Sequence, residues 1–191
     1  MRICVFGASS EELRQEYYGE ARRLGACIGA RGHTLVYGGG RGGLMGACAA
    51  GALEAGGGII GVAPRFFDVG DILLKERGEF YFTDTMAERK ALMERLADAF
   101  IVLPGGSGTL EEFFEVYTLR QLGQLNKPIV LLDTLGYYGA LRELLRSAAD
   151  ERFVSESALL LPRFAATPEQ ALAFALEEQD ADARSIADYG K

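Results

Sequence analysis

The sequence predicts a Rossmann-like, doubly wound α/β fold, with a mostly parallel sheet and helices on both faces. Two observations carry that expectation. Along 191 residues, short apolar runs alternate with amphipathic or alanine-rich stretches, the pattern of strands buried on both sides by crossover helices. Glycine-rich segments follow several of the apolar runs, at the strand ends where such folds collect their ligands.

Residues 2–6 form the first expected strand, which ends at Gly7-Ala-Ser-Ser10. Residues 11–30 place Leu13, Tyr17, Ala21, Leu24 and Ile28 at helical spacing. Thr34-Leu-Val-Tyr37 is the second strand. Gly38-Gly-Gly-Arg-Gly-Gly43 then leads into an alanine-rich helix to about Ala55, stopped by Gly56-Gly-Gly58, and a third strand covers 59–62. Residues 64–84 show no clear period and are expected to form a lid or crossing loop. Thr85-Met-Ala-Glu88 has the spacing of a capping box and opens a helix to about Ala97. Strand 99–103, helix 109–122, strand 128–133 and helix 137–149 follow. Leu159 to Leu161 read as a short edge strand. Thr167-Pro-Glu-Gln170 starts the last helix, with proline at its first position. The expected organisation is one domain over residues 1–178 and an acidic tail over 179–191, which carries Asp180, Asp182 and Asp188.

Composition narrows the function. An apolar content of 49% over 191 residues supports one full core. The net charge of −7 makes nucleic acid a poor partner. No apolar run approaches the roughly 18 residues of a membrane span, and the N-terminus reads as a strand rather than a signal peptide. A cytoplasmic location is therefore expected, with no membrane partner. Cys4, Cys27 and Cys48 form no C-x-x-C pair and have small or apolar neighbours, so they read as buried free thiols. His33 is the sole histidine, which argues against a zinc site or a Ser-His-Asp triad. No metal and no cofactor are expected.

The most informative stretch is Pro104-Gly-Gly-Ser-Gly-Thr-Leu-Glu-Glu112, directly after an apolar strand. Gly105, Gly106 and Gly108 let backbone amides approach a ligand without a Cβ in the way. The first N–H groups of the following helix lack partners within it and suit a phosphate. Glu112 would stand beside that phosphate as an acid or base. The same residues have a plainer reading. Thr109-Leu-Glu-Glu112 fits a capping box, with Thr109 as N-cap and Glu112 bonded to its amide. Ser107 does not satisfy G-x-S-x-G, because position 109 is threonine.

Two common nucleotide sites are excluded. Gly38 to Gly43 matches G-x-G-x-x-G but follows the second strand, not the first, and the next strand ends without an acid for a ribose. NAD is not expected. No G-x-x-x-x-G-K-[ST] occurs, which removes a P-loop NTPase. The segment can still pack against the sheet and form a ligand wall.

Taken together, Gly38-Gly-Gly-Arg-Gly-Gly-Leu-Met-Gly46, Met86-Ala-Glu-Arg-Lys90 and Pro104 to Glu112 resemble the Lonely-guy family, the cytokinin riboside 5′-monophosphate phosphoribohydrolases. The third block matches P-G-G-x-G-T-x-x-E throughout. Thr118 to Gly123, Lys127-Pro128 and Gly136-Tyr-Tyr138 look similar too, so the resemblance spans about residues 2–175. It implies hydrolysis of the N-glycosidic bond of purine nucleoside 5′-monophosphates, giving free base and ribose 5-phosphate. Arg89 and Glu112 are then the implied catalytic pair. Ser9, Gly39, Gly40, Met86, Lys90, Gly105, Gly106, Ser107, Gly108 and Thr109 are the implied substrate-binding residues. The resemblance further implies a homodimer, or an assembly of dimers, with the site near the subunit contact. Leu110, Phe113, Phe114 and Tyr117 offer apolar surface for it.

Competing readings stay open at this stage. Arg89 and Lys90 also read as a solvated helix face, with Lys90 and Glu94 as an i,i+4 pair. Related Rossmann-like carriers share the P-G-G-x-G-T turn, so a non-catalytic binder of a nucleotide or pterin is the alternative function. The base is open as well. A prenylated adenine nucleotide needs an apolar slot, for which Met86, Met93, Phe113 and Tyr117 are candidates, although core packing is the commoner fate of such residues.

Overall fold

A computed structural model describes residues 1–177. The acidic tail and the expected domain end at 178 lie outside the described residues. Seven parallel strands run in the order β4-β3-β2-β1-β5-β6-β7. They are β1 (Arg2–Phe6), β2 (Thr34–Tyr37), β3 (Gly58–Pro64), β4 (Glu79–Thr83), β5 (Ala99–Val102), β6 (Ile129–Leu132) and β7 (Pro162–Ala165). The helices are α1 (Gln15–Ala30), α2 (Gly43–Glu54), α3 (Met86–Leu96), α4 (Ser107–Gln121), α5 (Gly139–Asp150) and α6 (Pro168–Leu176).

Alternation along β1 divides the core. Ile3 and Val5 pack with Leu24, Ile28, Leu44, Ala49 and Leu172, so α1, α2 and α6 cover one face. Cys4 and Phe6 pack with Met93, Phe113, Tyr117, Leu141 and Leu145, so α3, α4 and α5 cover the other. This is the doubly wound arrangement, with β1 at the centre between β2 and β5. The chain leaves β1 toward one face and β5 toward the other, which opens a crevice beyond their carboxyl ends.

Three expectations about elements need correction. Residues 64–84 are not all loop. β3 runs to Pro64, and Glu79–Thr83 adds an edge strand parallel to it. Its burial alternates between exposed and half-buried positions, as an edge strand with one covered face requires, and the short run of mixed polarity hid it. The segment Leu159 to Leu161 is not the edge strand. It belongs to a 3-10 turn over Glu156–Leu160, and the strand begins at Pro162, where a missing N–H is tolerated at the first residue. The first helix starts at Gln15 rather than residue 11, with no side-chain cap at Arg14.

The capping box at Thr85 forms as expected, and the helix start at Thr167 has the same arrangement. Thr85 accepts the Glu88 amide at 3.1 Å and Thr167 accepts the Gln170 amide at 3.3 Å. In each the fourth residue reaches back, Glu88 to the Asp84 amide at 2.9 Å and Gln170 to the Ala166 amide at 2.7 Å.

Candidate active site

Four segments meet at the crevice. The loop after β1 touches the loop after β5, where the Ala8 amide donates to the Pro104 carbonyl at 3.1 Å. The same Ala8 accepts the Leu44 amide at 2.9 Å, which ties in the start of α2. Gly43 makes that approach possible. Its φ is 62°, and a Cβ there would lie 2.4 Å from the Ala8 carbonyl oxygen. α3 enters through Arg89, whose guanidinium lies where a Cβ on Gly38 would be, 2.4 Å from Nη2.

Arg89 and Glu112 form an ion pair, with Nη1 donating to Oε1 at 2.7 Å. Both are buried, at 6% and 7% exposure, which removes the solvated-face reading of Arg89. The guanidinium Nε also donates to the Val62 carbonyl at 3.2 Å. The planar fork thus bridges the end of β3 and the carboxylate on α4. Burial pushes the Glu112 carboxyl above its ordinary range, and the Arg89 charge and hydrogen bond offset part of that. A buried carboxylate of raised pKa beside a crevice is an unusual investment for packing alone.

Glu112 does not cap Thr109. α4 begins at Ser107, two residues earlier than expected, with Gly106 as its N-cap and no side-chain cap bond. Thr109 is therefore inside the first turn and buried. Its hydroxyl fills the space in front of Gly105, where a Cβ would lie 2.1 Å from Oγ1. Glu112 stands six positions beyond Gly106, free to face Arg89. Gly106, Ser107 and Gly108 are exposed, and a Cβ on either glycine would meet nothing within 4 Å. The first turn of α4 is thus open in front, with amides that suit an anion.

The remaining expected site residues divide. Ser9 is exposed on the loop after β1, beside Gly43. Gly39 is buried at φ 75°, and the Phe80 ring occupies the place of its Cβ at 2.6 Å. Its carbonyl accepts the Leu74 amide at 2.9 Å, and Gly40 bridges Leu73. Both glycines thus support the strap 65–78, which Arg41 also holds through Asp71 at 2.9 Å and Glu76 at 2.8 Å. Met86 is 39% exposed at the start of α3.

Lys90 pairs across to α4, with Glu111 and with Glu115 at 2.9 Å, instead of with Glu94 on its own helix. Burial draws its pKa down, but the two carboxylates reverse this and leave it raised. Of the four apolar candidates for a prenyl slot, Met93, Phe113 and Tyr117 are spent in the core. Leu110 and Phe114 are partly buried against that same core.

Sequence reasoning missed the partners. Gly38 and the Val62 carbonyl shape Arg89, Tyr137 bonds the Gly105 carbonyl of the glycine turn, and Tyr138 bonds the Leu103 carbonyl just before it. No residue type signals a carbonyl contact, although Gly136-Tyr-Tyr138 stood out as a pattern without a role.

Residues 45–174 match a family described as "possible lysine decarboxylase". Among curated proteins, the chain is similar to the cytokinin riboside 5′-monophosphate phosphoribohydrolase of Mycobacterium tuberculosis, at 45% identity over 82% of this chain and 83% of that one. It is also similar to the enzyme of that name, LOG2, from Arabidopsis thaliana, at 43% identity over 82% and 74%. Among solved structures, the molybdenum cofactor carrier protein of Chlamydomonas reinhardtii superposes with a TM-score of 0.66 at 24% identity, over 90% of this chain and 93% of that one. The molybdenum cofactor binding protein of Rippkaea orientalis gives 0.68 at 22%, over 90% and 93%. At such identities these two speak for the fold alone.

Proposed function

The chain belongs to the Lonely-guy family, and on that footing we propose that it is a hydrolase of purine nucleoside 5′-monophosphates, AMP or its N6-prenylated forms. Water adds at C1′ of the ribose, the glycosidic electron pair leaves with the base nitrogen, and the water's proton ends on the base. The products are free base and ribose 5-phosphate. The observation that carries this reading is the buried Arg89–Glu112 pair at 2.7 Å, set on the same helix as an open glycine N-terminus.

Cleavage builds positive charge on the sugar, as in glycoside hydrolysis. A carboxylate held out of water interacts strongly with that charge. Glu112 takes this role and orients the attacking water, while Arg89 fixes the carboxylate and offers its remaining N–H groups to ribose hydroxyls. Gly105 to Thr109 hold the 5′-phosphate. Glu112 lies six positions after Gly106, about 9 Å of helix at 1.5 Å per residue. That is a suitable span for a phosphate at one end and an anomeric carbon near the other. Ser9 and Met86 border the mouth, and Lys90 supports α4 through its carboxylate partners.

The same reading includes a homodimer. It also includes a cytoplasmic location, which three free thiols suit in a reducing compartment. Neither nucleic acid nor membrane is a partner, in keeping with the net charge of −7. No helix among the described residues is long and apolar enough to cross a membrane.

The test is incubation with AMP and with N6-isopentenyl-AMP in parallel, following free base and ribose 5-phosphate. Both products should appear in equal amounts, and the ratio of the two rates reports the base preference. Nucleotide bound and recovered intact would instead identify a carrier.

A further inference from the structure

Asp133 to Tyr138, between β6 and α5, is built with unusual backbone. Leu135 and Gly136 have φ of 56° and 71° in succession, a strained conformation for a leucine. Asp133 anchors the bend, accepting the Tyr138 amide at 2.7 Å and Arg142 Nη2 at 3.3 Å. The bend sends two adjacent tyrosines back to the end of β5. Tyr138 donates to the Leu103 carbonyl at 2.6 Å, and Tyr137 donates to the Gly105 carbonyl at 2.5 Å.

The two hydroxyls differ in what compels them. Tyr138 is buried, and burial pushes its pKa up, so it stays a donor. Its bond satisfies a group that has no access to water. Tyr137 is 42% exposed, with its ring edge-on to Tyr17 at 6.2 Å. With the residue open to solvent, burial alone does not account for its bond to one particular carbonyl.

That carbonyl belongs to the Gly105–Gly106 peptide, which has no Cβ on either side to limit its rotation. In a trans peptide the C=O and N–H point in opposite directions. Fixing the Gly105 oxygen therefore fixes the direction of the Gly106 N–H, the amide at the N-cap of α4. A hydrogen bond to the carbonyl also polarises the peptide and strengthens that N–H as a donor.

We infer that Tyr137 is a positioning residue for the nucleotide's phosphate, acting through the Gly105–Gly106 peptide. The inference rests on the reading that this turn holds the 5′-phosphate. Tyr137→Phe removes the hydroxyl and keeps the ring against Tyr17. kcat/KM for AMP should fall about tenfold, the scale of one hydrogen bond to a charged group, and mainly through KM. The value for adenosine should not change, and competitive inhibition by inorganic phosphate should weaken by the same factor as AMP.

An AMP-to-adenosine ratio and phosphate inhibition equal to wild type would overturn the inference. So would a parallel loss on both substrates, which marks general damage. The underlying reading is tested separately in the unaltered protein. If wild type treats AMP and adenosine alike and ignores phosphate, the turn is not a phosphate site and the role of Tyr137 falls with it.

Discussion

At the scale of single residues, the site turns on a carboxylate that burial makes reluctant to ionise. Arg89 is the counterweight, and its fork has a second duty at the Val62 carbonyl. Glu112→Gln keeps the shape and can still accept from Arg89, but loses the charge that faces the developing cation. kcat on AMP should fall at least about a hundredfold, and the melting temperature should drop as well, because Arg89 is left buried without its counter-charge. A folded variant with near-normal turnover would leave Glu112 a purely structural part of the ion pair. The raised pKa adds a signature to the same measurement. Activity needs the ionised form, so kcat/KM should decline as pH falls, with a midpoint above the ordinary glutamate value of 4.5, and Glu112→Gln should lack that limb. Glu112 was legible as an acid beside a glycine turn, because residue types in a fixed spacing announce chemistry. Its pairing with Arg89 came from the family resemblance alone, since Thr109-Leu-Glu-Glu112 satisfies a capping box equally well. Only the true start of α4 at Ser107 separates the two.

At the scale of elements, the turn before α4 uses its glycines for different ends. Gly105 is buried and faces the Thr109 hydroxyl, whereas Gly106 is exposed with open space before it. Gly105→Ala should therefore cost stability, on the order of 1–3 kcal/mol as for other overpacked sites, seen as a lower urea midpoint. Gly106→Ala should fold like wild type and raise KM for AMP, because the new methyl stands where the phosphate approaches. The reverse order of effects would show that the turn faces the other way. Most elements could be read from the sequence because long apolar runs and cap patterns are local signals. β4 could not, because two of its five residues are exposed and its place in the sheet comes from β3. β7 was misplaced by three residues because the apolar Leu159-Leu-Leu161 outranks Pro162-Arg-Phe-Ala165 in hydrophobicity.

For the whole molecule, the homodimer is the prediction that one chain cannot display. Leu110 and Phe114 on α4 keep part of their surface open while Phe113 and Tyr117 are buried. A contact there would bring a second copy close to Glu112 by symmetry. Light scattering at micromolar concentration should give a mass about twice 20.6 kDa, or a multiple of that for an assembly of dimers, and a fully active monomer would refute a shared site. The layered fold itself was legible from alternation alone. The convergence of four loops at one crevice follows once β1 is known to sit at the centre, since every parallel strand delivers its following loop to the same end. That central place also governs how the chain is born. The first 83 residues supply β1 to β4 in the order in which they lie side by side, so half of the sheet can assemble as it leaves the ribosome. Its inner border is then β1, whose Ile3, Cys4 and Val5 are wholly enclosed in the finished molecule. That border stays bare until Ala99–Val102 is made. A bare apolar strand is a template for strands of other chains. Synthesis of α3, the helix that carries Arg89, is therefore the interval when the newborn chain most needs shelter, on the order of a second at ordinary elongation rates.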